Sequence, residues 1–178
     1  MPREINILNG SVLEPVRLSV ISHRLELTFS APVNLIRANL DMRAAYDSSR
    51  RQTLSTELLS QILNGSSDAG CKRIAIVDVD LFIPVLTFVF GEAQLRGTAA
   101  IVSTHRLSNQ FYGLPRDEDL MIHRLEKEMV HELGHTFGLL HCRQFECVMR
   151  ASTYVEEIDL KQIHFCDICS RRILPMTA

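Results

Sequence analysis

The stretch HELGHTFGLLH, residues 131–141, decides how this chain reads. His131 and His135 stand four residues apart, so on a helix both imidazoles share one face and can reach one ion. Neutral imidazole nitrogen suits Zn²⁺ at about 2.0–2.1 Å. Glu132 follows His131 directly, placed to touch a water on that ion. Gly138 lets the chain leave the helix in a positive-φ conformation that a Cβ resists, and the turn can bring His141 round as a third ligand. Three protein ligands leave the fourth tetrahedral position to water, the arrangement of a catalytic rather than a structural zinc. Zinc brings the pKa of its water down to about 7, and Glu132 can take the proton and hand it to a departing amine. The plainer reading is an amphipathic helix whose histidines happen to share this spacing.

Immediately downstream stand Cys142, Cys147, Cys166 and Cys169, while the fifth cysteine, Cys71, is alone. Two pairs, one of them C-x-x-C, can close a tetrahedral Cys₄ zinc site with no open position. Such a site is structural: metal binding becomes folding energy for a segment with little core of its own. Reduced core cysteines, or a redox-active C-x-x-C pair, are alternatives that the spacing leaves open. Cys142 follows His141 directly, so the two centres must be neighbours, and the expected complement is two zinc ions per chain.

Upstream, Asp117-Glu118-Asp119 puts negative charge where a helix N-terminus wants it. That helix is expected to run to about 133–137, with Leu125, Met129, Leu133 and Phe137 on one face and Gly138 ending it. Residues 73–79, 85–90 and 98–103 read as strands, the last two joined by a hairpin-like connection over 91–97. Residues 5–8 suit a first strand. A helix over 12–25 follows, with Pro15 in its first turn and Val12, Val16, Val20 and Leu27, with Leu13 and Ile21, as its apolar stripe. A second helix covers 53–63, closed by Asn64-Gly65 before a polar loop to Gly70. Strands interleaved with helices indicate an α/β or α+β sheet protein.

At 178 residues and 46% hydrophobic, the chain has material for one core, and it is expected to be one domain over 1–178, with 142–178 as its zinc-stabilised segment. Nineteen basic against twenty-one acidic residues leave a charge of -2, which argues against a nucleic-acid partner or a polybasic membrane anchor. The longest apolar run, residues 81–90, is broken by Pro84 and too short to span a bilayer. MPREINILNG lacks the design of a signal peptide, and a secreted disulfide framework would spread its cysteines. A soluble, cytoplasmic monomer is expected. His23, His105, His123 and His164 have no partner at diagnostic spacing, although His164 lies close enough to Cys166 to replace a cysteine ligand. Asp78 and Asp80 read as a strand-to-loop exit, Cys71 as a buried thiol, and Tyr154 as a residue without contact to the ion.

With both constellations in place, residues 131–141 resemble the long zinc signature of the metzincin metallopeptidases. Adding Cys142, Cys147, Cys166 and Cys169 makes the chain resemble the archaemetzincin family. FVFGEAQLRGTAAIVSTHRL, residues 88–107, is similar to the edge-strand hairpin that precedes the active-site helix in that family. The resemblance implies a zincin-like mixed, twisted sheet with helices on one side, and a Met-containing turn below the catalytic zinc. Met149 is the candidate for that turn; the family pattern often places Met directly after the second cysteine, whereas Val148 intervenes here. The implied activity is hydrolysis of peptide or protein substrates, with Glu132 as general acid/base and an edge strand to pair with the substrate. The competing expectation is a zinc-stabilised peptide- or protein-binding protein of the same fold, with weak or no turnover.

Overall fold

The structure is a computed structural model that describes residues 4–65 and 70–173. Its first half runs β1 (Glu4–Asn9), α1 (Pro15–Phe29), β2 (Val33–Arg37), β3 (Tyr46–Asp47), β4 (Gln52–Leu54) and α2 (Ser55–Asn64). β5 (Cys71–Val77), β6 (Leu81–Phe82), β7 (Gly91–Ala93) and β8 (Ala99–Ser103) follow, then α3 (Glu118–Thr136), α4 (Val155–Leu160) and α5 (Asp167–Ile173). The main sheet has the order β2-β1-β5-β8-β7, parallel except for β7, which runs antiparallel to β8 at the edge. The mixed α/β architecture read from the sequence is the one observed.

Residues two apart on a strand face the same way, so β1 and β5 sort their apolar side chains onto two faces. Ile5, Ile7, Ile74 and Ile76 face α1 and α3 in one core cluster. Ala75, Val77, Ala99 and Ile101 face α2, with Leu58, Leu59 and Ile62, in another. The family resemblance implied helices on one side, but α2 covers the opposite face.

Several local expectations change. On α1 the buried stripe is Leu18, Ile21, Leu25 and Phe29, while Val16, Val20 and Leu27 are exposed, as is Val12, which lies ahead of the helix. Pro15 fixes the helix start, so the stripe is set by what meets the sheet from there on. Residues 85–90 do not form a strand. Pro84 has no N–H to give a ladder, the Leu86 N–H closes a turn onto the Ile83 carbonyl, and only Val89 bridges, to Leu81. The strand of the hairpin is β7, whose Gly91, Glu92 and Ala93 pair with Val102, Ile101 and Ala100. β2, β4, α4 and α5 went unread: their segments are short and weakly periodic. Most of the polar loop expected before Gly70 lies outside the described residues.

Candidate active site

α3 brings the chemistry to the sheet. Its N-terminus is capped by Asp117, whose carboxylate accepts from the Leu120 N–H at 2.9 Å, with Glu118 and Asp119 in the first turn. Leu125, Met129 and Leu133 hold it in the core, and its last turns bury His131 and Glu132. Phe137 stacks on Phe29 with ring centroids 5.2 Å apart. Gly138 then takes φ 93°, the left-handed exit expected there, and the turn carries His141 back to the helix. The three histidine rings converge, with centroids 4.7, 5.3 and 5.0 Å apart.

The protonation of these rings follows from their partners. His131 Nδ1 lies 2.8 Å from the Val148 carbonyl oxygen, and His135 Nδ1 lies 2.7 Å from that of Leu139. A carbonyl can only accept, so each Nδ1 carries the hydrogen and each Nε2 keeps its lone pair. Those two Nε2 atoms stand 3.1 Å apart. Two lone pairs at that distance need a cation between them, and a tetrahedral ion at zinc–nitrogen distance spaces its ligands about 3.3 Å apart. Burial pushes His131 well below its usual pKa, aided by the nearby Lys161 ammonium, and burial also lowers His135 and His141. A shared proton is therefore a poor substitute for a metal, and the donor set fits zinc.

Glu132 lies against the edge strand. A Cβ on Gly91 would come within 2.8 Å of Glu132 Cγ and 2.6 Å of the Ile101 carbonyl oxygen, so only glycine allows this approach. Burial, with the Glu128 carboxylate one turn away, pushes the Glu132 carboxyl well above the usual range, while Lys161 opposes the shift. A carboxyl in that condition is suited to hold and release a proton. A cavity of about 300 Å³ opens here, lined by Phe88, Gly91, Glu128, His131, Glu132 and His141 among others.

Ligand atoms of Cys142, Cys147, Cys166 and Cys169 all lie within 4.8 Å of one another, and Cys142 Sγ is 3.8 Å from Cys166 Sγ. A tetrahedral zinc–thiolate site spaces its sulfurs about 3.8 Å apart. Backbone N–H groups of Gln144 and Cys166 point at Cys142 Sγ and Cys147 Sγ, each at 3.4 Å. Burial raises the Cys147 and Cys169 thiols. At Cys166 burial is outweighed by the Cys169 N–H and the neighbouring sulfurs, which leave it at about 7. Cys166 is thus ready to lose its proton to a metal.

Met149 occupies the position expected of it. A Cβ on Gly134 would meet Met149 Sδ at 2.5 Å, so this buried side chain lies directly under the helix turn between His131 and His135.

A sequence model of peptidase family M54 matches residues 9–174. The chain belongs to this family, the archaemetzincins. It is 41% identical over 132 residues to an archaemetzincin of Thermococcus kodakarensis, covering 74% of this chain and 71% of that one. A zinc-dependent peptidase from Methanocorpusculum labreanum superposes with a TM-score of 0.86 at 28% identity, covering 96% of this chain and all of its own. An archaemetzincin from Archaeoglobus fulgidus, solved with malonate, gives 0.80 at 33% identity over 95% and 99% of the two chains. M54 membership makes the chain a zinc metallopeptidase acting on peptides or proteins.

Every residue singled out for the two constellations is brought into its cluster. Among the described residues none of His23, His105, His123 and His164 lies in a group able to hold a metal. Asp80 is held by Arg106 and Gln52, and Asp78 accepts from the Val12 N–H, both structural roles. Tyr154 is 66% exposed and does not line the cavity. Cys71 is buried, as read. Among the described residues no helix is long and apolar enough to cross a membrane. Sequence reasoning missed Glu128, Lys161 and Gly91. The four-residue step from Glu128 to Glu132 was a visible signal; Lys161 had none.

Proposed function

We propose that this M54 member hydrolyses peptide bonds at a catalytic zinc held by His131, His135 and His141, with Glu132 as general acid/base, and that Cys142, Cys147, Cys166 and Cys169 hold a second, structural zinc. The observation that carries the reading is the pair of Nε2 lone pairs 3.1 Å apart, with both Nδ1 atoms committed to carbonyls. Zinc supplies a Lewis acid for the carbonyl and makes water nucleophilic near neutral pH.

The chain's own groups do the rest. The Val148 and Leu139 carbonyls fix the tautomer and orientation of two imidazoles. Glu132 takes the proton of the attacking water and delivers it to the leaving amine, for which its buried, raised carboxyl is suited. β7 lies at the sheet edge beside this carboxylate, so its outer rim can pair with an extended substrate and align the scissile bond.

Cleavage of a broad peptide library by the native chain and by Glu132→Ala tests the reading. The variant is expected to lose about 10²–10⁴-fold in rate while keeping native zinc content, since Glu132 is not needed as a ligand. Equal background rates for both chains would instead favour a zinc-stabilised binding protein. Loss of zinc from the variant would make Glu132 a ligand or a support for one.

A further inference from the structure

Glu128 stands four residues before Glu132 on α3 and lines the same cavity. Its Oε1 accepts from Lys161 Nζ at 2.8 Å, and that ammonium also donates to the Arg150 carbonyl at 3.3 Å. The Lys161 side chain is wholly buried and is not part of the lining, so the carboxylate rather than the ammonium borders the cavity. Among the described residues nothing hydrogen-bonds to Glu128 Oε2. Ser152 belongs to the same wall, and its buried hydroxyl has no partner among the described residues. Leu86, Phe88 and Phe90 make other parts of the wall apolar.

These features discriminate between guests. The carboxylate–ammonium pair has no net charge, so an arginine or lysine head would compete with Lys161 and bring an uncompensated charge into a closed space. An acidic side chain would meet Glu128 as a like charge. An aliphatic side chain would dry Oε2 without giving it a partner, and would leave the Ser152 hydroxyl as unpaired as before. A primary amide suits both, because its NH₂ donates and its carbonyl accepts. Four residues of helix rise separate Glu128 from Glu132 by about 6 Å along the axis, a reach for which two methylenes serve better than one.

We propose that Glu128, held by Lys161, is the specificity-determining residue of this cavity, which takes an uncharged amide side chain, glutamine before asparagine, next to the scissile bond. The inference rests on the peptidase reading above, so its test has an arm that does not need turnover. With the zinc-loaded full chain, kcat/KM is measured for peptides varied on both sides of the bond. Calorimetry is run in parallel with peptide hydroxamates carrying Gln, Leu, Arg or Glu on either side of the chelating group.

Glutamine is expected to lead the other three by about tenfold or more in both arms, the scale of leaving a buried polar group unpaired. Glu128→Gln alone would strand a buried ammonium and endanger the fold, so the decisive variant is Glu128→Leu/Lys161→Met, which replaces the pair with apolar groups of similar volume. It is expected to fold and to bind the Leu hydroxamate better than the Gln one. A native preference for Leu, Arg or Glu, or an unchanged Gln preference in the double variant, overturns the assignment. Gln-selective hydroxamate binding without cleavage of any peptide would uphold the cavity and count against turnover. Cleavage with unselective binding would do the reverse.

Discussion

The carbonyl of Val148 holds His131 Nδ1 at 2.8 Å, and the residue before Val148 is a member of the cysteine cluster. Cys147, Val148 and Met149 thus contribute in succession a sulfur, the acceptor that orients a histidine, and the side chain beneath the helix. A second link closes the loop: the Cys142 N–H donates to the Met149 carbonyl at 2.9 Å, next to His141. Each centre is therefore built partly on the backbone of the other.

The purified chain is expected to carry close to two zinc ions, of which a chelator removes one quickly and the other slowly. His141 is exposed at the cleft, whereas Cys147 and Cys169 are buried and the thiolate site has no open position. Elemental analysis with a colorimetric chelator time course measures both. Well below one zinc in fresh, unchelated protein would end the two-site reading.

Replacing Cys166 and Cys169 by Ser is expected to damage folding more than replacing His131 and His135 by Ala. α4 and α5 bury few side chains of their own, so the C-terminal segment is expected to rely on the metal, and loss of a structural zinc can exceed a domain's whole stability of about 5–15 kcal/mol. α3 is instead held by Leu125, Met129 and Leu133 without it. Because Val148 shares the turn, the cysteine variant should also lose affinity at the histidine site. Urea unfolding and zinc titration of both variants decide. A less stable histidine variant would reverse the two roles.

Much of the site was legible because its signals are local. Helical spacing places His131 and His135, and one glycine lets the chain turn to His141. The four cysteines announce themselves by type. The strands β5 and β8 were legible for the same reason, as runs of Ile, Val and Ala buried on both faces. What stayed hidden depends on distant partners. Lys161 gains its meaning from a carboxylate 33 positions away. Gly91 gains its own from Glu132, and reading 85–90 as a strand missed that the strand paired with β8 is Gly91–Ala93. The face of α1 was misjudged because two apolar stripes compete on it, and only the sheet beneath chooses between them.

Asp80 offers a pH test on a residue outside both ligand sets. Burial alone would raise its carboxyl, but hydrogen bonds from Arg106 and Gln52 outweigh this and leave it below the usual 3.8. A carboxylate depressed in the folded state stabilises the protein above its unfolded pKa, and that contribution disappears as pH falls through the folded value. Asp80→Asn is therefore expected to be less stable than the native chain near neutrality, with the gap narrowing below about pH 4. Arg106 also lies 4.1 Å over the Phe88 ring, so the variant should loosen one wall of the cavity. Unfolding free energies across pH check the sign; a gap that widens in acid would contradict it.

Gly91→Ala is the sharpest test of how the edge strand serves Glu132. The added methyl would lie 2.6 Å from the Ile101 carbonyl oxygen and 2.8 Å from Glu132 Cγ, distances that force something to move. Ile101 belongs to β8, paired on both sides within the sheet, and is wholly buried, so the yielding parts are β7 and the Glu132 side chain. Displacing a positioned acid/base by about 1 Å can cost on the order of 10²-fold in rate. Overpacking should lower stability by only about 1–3 kcal/mol, and the three histidines, none of which supplies one of the three atoms nearest the new methyl, should keep their zinc. Gly65→Ala is the matched control, since its Cβ would meet nothing closer than 3.5 Å and the residue already has helical dihedrals. Activity near native in Gly65→Ala and severely reduced in Gly91→Ala, at equal zinc content, is the expected outcome. Native activity in both would mean that Glu132 does not depend on the edge strand for its position.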